Sequence, residues 1–204
     1  MISGLERRGF DFSHASALEV FGEVGERSTR FYAPLVASLE VWEIDPACEP
    51  GLRRNLPGAK IKITDSFAEI ERATGPYDLI SIDSPLGGGE HFELFPHVFE
   101  LLAEDGVIVL NVITRVDPLM RRQFGYLFDE EQLERRRQFY GTDHPDRMSR
   151  GELADAYRRL GRGEGFEMQW HTFHRRFHML GPVPLPSSSF MLAMRFRRTR
   201  ATTG

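Results

Sequence analysis

The sequence predicts an α/β fold: a three-layer sandwich in which helices cover both faces of a mostly parallel, seven-stranded sheet that closes with a C-terminal antiparallel pair. Three observations predict it. Over the first two thirds of the 204 residues, short apolar runs alternate with stretches of helical periodicity, and strands separated by helices imply parallel pairing. Two of the runs, 77–82 and 106–112, are nearly continuously apolar, as a central parallel strand buried on both faces requires. Two late strand-like runs, 166–177 and 190–198, stand outside the alternation.

The first strand is expected over 17–21, followed by a helical stretch, 28–37, that Pro34 interrupts. Residues 39–44, rich in Val, Trp and Ile, read as the second strand. Pro46 then takes the first-turn position of a helix running to about Asn55, and Leu56-Pro57-Gly58 makes the turn. Residues 59–64 alternate as a third strand, and Phe67, Ile70 and Ala73 share a helix face until Gly75-Pro76 breaks it. The fourth strand is 77–82. Phe92, Phe95, Val98, Phe99 and Leu102 mark one helix face before the fifth strand at 106–112. Residues 117–140 are charged and predict a helix, with Arg135-Arg136-Arg137 on a solvated face balanced by Asp129, Glu130, Glu131 and Glu134. Ser149 and Glu152 fit a capping box for a helix ending at Gly161. The connection through Gly181, Pro182, Pro184 and Pro186 reads as too long for a tight hairpin. One domain accounts for the chain: a core over about 14–113, a helical elaboration over about 114–165 that would cover the substrate, and final strands over about 166–198.

Composition narrows the functional classes. Hydrophobic residues are 41% and charged residues 27%, with a net charge of -4; these values fit a globular protein with a sizeable core and argue against a nucleic-acid partner. A lone cysteine, Cys48, excludes an internal disulfide and fits a reducing compartment. Residues 1–10 carry Glu6, Arg7 and Arg8 without the apolar core of a secretory signal. The longest apolar stretch, 107–113, is interrupted by Asn111 and is too short to span a bilayer. A cytoplasmic protein with no membrane partner is expected.

In open α/β sheets, ligands sit at the carboxyl ends of the strands. The first strand carries Glu19 and runs into Phe21-Gly22-Glu23-Val24-Gly25, where glycines let the backbone approach a ligand. The second ends in Glu43-Ile44-Asp45, the third in Thr64-Asp65-Ser66 and the fourth in Ile82-Asp83-Ser84. A carboxylate at Glu43 can accept both hydroxyl protons of a ribose. Asp65-Ser66 is also a common helix N-cap. The repeated acidic residues suit a neutral nucleoside or a cation such as a sulfonium more than a phosphate.

Residues 17 to about 113 resemble the core of the class I S-adenosylmethionine-dependent methyltransferases, a Rossmann-like family. The matching pieces, in order, are Leu18-Glu19-Val20 with Gly25, Val41-Trp42-Glu43-Ile44-Asp45-Pro46, Thr64-Asp65-Ser66-Phe67, Tyr77-Asp78-Leu79-Ile80-Ser81-Ile82-Asp83, Leu101-Leu102 and Gly106-Val107-Ile108-Val109-Leu110. The resemblance implies S-adenosylmethionine as cofactor. Glu19, Phe21, Gly22 and Gly25 would lie beside its amino-acid part. Glu43 would hold the ribose, with Ile44 next to it. Asp65 would accept from the adenine amino group, with Ser66 and Phe67 close by. Asp83 would face the methyl group and the substrate. Two departures stand out. Phe21 replaces a usual glycine, and Leu110 stands where metal-dependent members carry a second Asp, so no metal is expected.

A hydroxyl acceptor needs a base. Asp83 and His91 are the candidates for catalysis, and Glu90 and Asn111 for substrate contact, around the glycine-rich segment 84–92. His171, His174 and His178 read as residues of a solvated strand rather than a metal cluster. Methyl transfer to a small molecule, at a hydroxyl oxygen, is the first expectation. An aminopropyltransferase resembling spermidine synthase and a degenerate methyltransferase-like scaffold or regulatory subunit are the alternatives; a nicotinamide dehydrogenase lacks its Gly-x-Gly-x-x-Gly turn. N-terminal helices to cover the substrate are almost missing. The cover would come from residues 114–165, from the 181–189 connection or from a second subunit, which suggests a homodimer.

Overall fold

The computed structural model describes residues 1–26, 28–83, 92–115, 129–180 and 183–199. Its strands are β1 (Ser16–Glu19), β2 (Ser38–Glu43), β3 (Lys60–Ile63), β4 (Tyr77–Ile82), β5 (Leu102–Ile113), β6 (Phe166–Leu180) and β7 (Val183–Arg198), in the sheet order β3-β2-β1-β4-β5-β7-β6. The strands from β1 to β5 pair in parallel, and β7 runs antiparallel to both β5 and β6. The sheet is therefore mixed, with one reversed strand, and β6 points the same way as β5.

Alternation along each strand sends successive side chains to opposite faces, and each face has its own core. One gathers Leu18, Trp42, Ile80, Ile108 and Leu192 with Val98, Phe99, Leu153 and Tyr157. The other gathers Ala17, Val41, Leu79, Val109 and Ala193 with Leu5, Tyr32 and Leu52. The helices divide accordingly. α1 (Ile2–Glu6), α2 (Thr29–Tyr32) and α3 (Glu49–Asn55) lie on the second face. α4 (Ser66–Ile70), α5 (His97–Leu101), the helix Glu130–Tyr140, here α6, and Arg150–Gly163, here α7, lie on the first. The three layers follow from these two cores.

Local chemistry sets the helix ends. Asp45 accepts from the Ala47 amide ahead of Pro46, and Asp65 accepts from the Phe67 amide at the start of α4. At α7, Ser149 and Glu152 form the expected reciprocal box, with bonds of 3.1 and 2.7 Å.

Several expectations need correction. β1 stops at Glu19, so Phe21 lies in the turn rather than the strand. The helix expected over 28–37 is a single turn, because Pro34 lacks the N–H to continue it. Pro96 divides the helix expected over 92–102 into a 3-10 turn, Phe92–Leu94, and α5. β5 extends beyond its expected span at both ends, and Asn111 lies inside it. The connection between the last strands is shorter than expected, since Leu180 pairs with Val183 and Pro184 and Pro186 lie inside β7. Prolines two apart present their missing donors to one edge, and β5 ends opposite Ser189, before it reaches them.

Arg136 is also not solvated. It is fully buried, stacks over Tyr140 at 5.4 Å and donates to the carbonyls of Pro145 and Ile113. It ties α6 to the segment leaving β5, while Arg135 pairs with Glu93 and Glu131 and Arg137 with Glu134 on the surface. The N-terminus contributes α1, whose Leu5 is fully buried. Among the described residues no helix is long and apolar enough to cross a membrane.

Candidate active site

The carboxyl ends of β1, β2 and β4 converge around the turn 21–25. Its glycines are demanded by packing. A Cβ on Gly22 would stand 2.3 Å from Val41 Cγ1, and one on Gly25, at φ 72°, would stand 2.8 Å from Leu56. The turn is thereby pressed onto β2 and α3. Glu23 takes a positive φ of 44°, and its amide donates to Glu43 Oε2 at 2.6 Å. The Asp45 amide donates to Glu43 Oε1 at 2.8 Å. A carboxylate offers about four lone-pair sites, so Glu43 is held rigid by two amides and keeps acceptor capacity for a pair of hydroxyls.

Beside Glu43 the surface is apolar. Ile44 is 65% exposed and Phe67 37% exposed, unusual for side chains of this size. The Phe21 ring stands 6.0 Å from that of Phe67, so the residue in the departing position adds to this apolar surface. Asp65 sits at its edge, with Oδ1 on the Phe67 amide. Ser66 is buried and donates to the Val20 carbonyl, fixing α4 to the end of β1. The structure thus brings Phe21, Gly22, Gly25, Glu43, Ile44, Asp65, Ser66 and Phe67 to one rim.

Glu19 stands apart from that rim. It is buried under α2, where Thr29 and Tyr32 donate to its Oε2 at 2.9 and 2.7 Å. Burial pushes its pKa up to about 8, against these hydrogen bonds and with help from the Asp83 charge. It is a neutral acid near neutral pH, and Oε1 is the oxygen left for the proton. Asp83 is buried too, and both of its oxygens are engaged: Oδ1 by Arg176 of β6 and Oδ2 by the Ser28 hydroxyl at 2.7 Å. Ser28 precedes α2 without capping it; its hydroxyl serves Asp83 instead. Asn111 is 3% exposed, and its Oδ1 has no hydrogen-bond partner among the described residues. His91 and Glu90, with the glycine-rich segment around them, lie outside the described residues.

Sequence reasoning missed Arg176, Ser28, Ser81 and His174. The available signal was the period of two in β6, which puts His174 and Arg176 on one face; the direction of β6, which brings that face to the active rim, was not legible. His171 faces the other side of the sheet, where it is opposite Met194, while His174 is opposite Met191. Among the described residues no three His, Cys, Asp or Glu side chains gather as a metal site. α6 and α7 pack Tyr140, Leu153 and Tyr157 into the core on the α4–α5 face, and residues 116–128 of the expected substrate cover lie outside the described residues.

No protein-family model and no curated protein matches the sequence. Solved structures do match its fold. The N-methyltransferase NodS from Bradyrhizobium japonicum WM9 aligns at TM-score 0.55 and 14% identity, over 97% of this chain and 94% of that one. M. jannaschii TYW2, in complex with AdoMet, aligns at TM-score 0.55 and 13% identity, over 97% and 75%. The CurJ carbon methyltransferase aligns at TM-score 0.62 and 15% identity, over 95% of this chain and 51% of that one. With the strand order and the strand-end residues, these alignments show that the chain has the class I S-adenosylmethionine-dependent methyltransferase fold.

Proposed function

We propose that the protein binds S-adenosylmethionine and transfers its methyl group to a hydroxyl oxygen of a small molecule. The observation that carries the reading is the rim at β2 and β3. Glu43 is fixed by the Glu23 and Asp45 amides beside the exposed Ile44 and Phe67. Those residues fit an adenosine: Glu43 takes the ribose hydroxyls, Ile44 and Phe67 take the faces of the base, and the second oxygen of Asp65 takes the adenine amino group. Bound there, S-adenosylmethionine supplies a methyl group made electrophilic by its sulfonium. The chain's own part is placement, since a reacting pair held in line gains a large entropic advantage. Asp83 keeps the carboxyl end of β4 in position through Ser28 and Arg176. Glu19 acts through α2, holding the helix that Ser28 precedes. The hydroxyl proton goes to a base in the segment that carries His91.

The net charge of -4 supports a small molecule over nucleic acid as acceptor. The guanidinium of Arg176 at the acceptor side counts against a cationic amine such as putrescine. The cytoplasm and a homodimer complete the proposal.

A melting scan with S-adenosylhomocysteine tests it. At about a hundred times its dissociation constant, a ligand stabilises the native state by roughly 2.7 kcal/mol. A protein that melts cooperatively and shows no shift at millimolar ligand overturns the reading in favour of a scaffold.

A further inference from the structure

On the α1–α2 face the sheet changes from apolar to polar within one row. Ala17, Leu79 and Val107 are in register and buried. The next row on that face pairs Glu19 with Ser81, and the one beyond holds Asp83, Asn111 and His174, the last two both opposite Met191. Asn111 Oδ1 and His174 Nε2 are buried without a hydrogen-bond partner among the described residues, while the Ser81 hydroxyl lies within hydrogen-bonding reach of Glu19 and Tyr32. Unpaired buried polar atoms are costly and few in folded proteins; two in one row, on either side of Met191, point to a polar occupant. Arg176 stands beside them, 24% exposed. Its Nη1 meets Asp83 and Met191 Sδ, while Nε and Nη2 bond none of the described residues. Burial first, then the Met1 amino group, Arg8 and Arg7, hold the His174 pKa below its ordinary value, and the Arg176 guanidinium is paired with Asp83.

We propose that this patch is a carboxylate site: the free edge of Arg176 grips the carboxylate of a small organic acid, and Asn111 and His174 contact its polar groups. An arginine fork matches a carboxylate in charge and in geometry. The inference rests on the methyltransferase reading in taking the acid to be the methyl acceptor. The strand order supports the acceptor over the cofactor's own amino-acid end. Arg176 enters from β6, at the opposite edge of the sheet from β3, whereas Glu43 and Asp65 belong to β2 and the end of β3.

Acetate and its neutral isostere acetamide are the probes, titrated while the His174 ring signal is followed by NMR, with and without S-adenosylhomocysteine. The His174→Gln variant assigns the signal. Acetate is expected to shift it saturably and to bind at least about tenfold tighter than acetamide, the equivalent of one charge-assisted contact. Arg176→Gln is expected to abolish that preference and Arg176→Lys to keep part of it. Asp83→Asn, which removes the competing carboxylate, is expected to strengthen acetate binding; this gain tests the site even if Arg176→Gln fails to fold. Equal response to acetate and acetamide, unchanged binding in folded Arg176→Gln, or displacement of acetate by S-adenosylhomocysteine overturns the proposal. Acetate binding in a protein that does not bind S-adenosylhomocysteine overturns the methyltransferase reading and leaves the carboxylate site standing.

Discussion

At the residue scale, four acids near the carboxyl ends of the strands bond four different sets of partners. Glu43, Asp65 and Asp83 were visible as strand-end acids and Glu19 as an acid within the first strand, yet each has a different environment. Glu43 accepts two amides, Asp65 caps a helix, Asp83 holds an arginine and Glu19 is buried under two hydroxyls. The last has a consequence for stability. The pKa of Glu19 is about 8 in the folded protein against an ordinary 4.5. Between those values the native state holds a proton that the unfolded chain releases, so stability falls as pH rises through that window. His171 and His174, with pKa values held below the ordinary 6.5, contribute the opposite slope below that pH. Glu19→Gln keeps an acceptor for Thr29 and Tyr32 but carries no titrating proton. The difference in unfolding free energy between wild type and Glu19→Gln, measured by urea titration, is expected to move in favour of the variant as pH rises from about 5 to 8. A difference independent of pH would show that Glu19 titrates normally.

At the element scale, what could be read was what depends on neighbours in sequence. The capping box of Ser149 and Glu152 was legible because both partners sit within one turn, and the structure forms both bonds. Ser149→Ala is expected to cost about 1 kcal/mol in urea unfolding; a loss below the error of measurement would mean that core packing alone holds α7. Elements that depend on partners far along the chain were misjudged. Arg136 looked like its neighbours Arg135 and Arg137, but its bonds run to Ile113 and Pro145. The prolines of β7 looked like a loop because the absence of a β5 neighbour at that point cannot be read from local sequence. Asn111 and Arg176 were separated from their surroundings by the same ignorance of register.

At the scale of the whole molecule, the alternation of strands and helices gave the parallel core and the sandwich, because helices on both faces are what such a pattern requires. It did not give the direction of β6, and with it went half of the site. The described residues divide into the rim at β1–β3 proposed for the nucleoside and a polar patch reached from β6, which carries the Arg176–Asp83 pair. Asp83, at the end of β4, bonds Ser28 ahead of α2 and Arg176 of β6. The central claim is that the rim at β2 holds the nucleoside. Calorimetric titration of wild type and Glu43→Ala with S-adenosylhomocysteine tests it most directly, with matched melting curves to show that both are folded. The account predicts saturable binding to wild type and a loss of about a hundredfold in the variant, since two hydrogen bonds to a charged acceptor go with it. Equal affinity in the two proteins would contradict it.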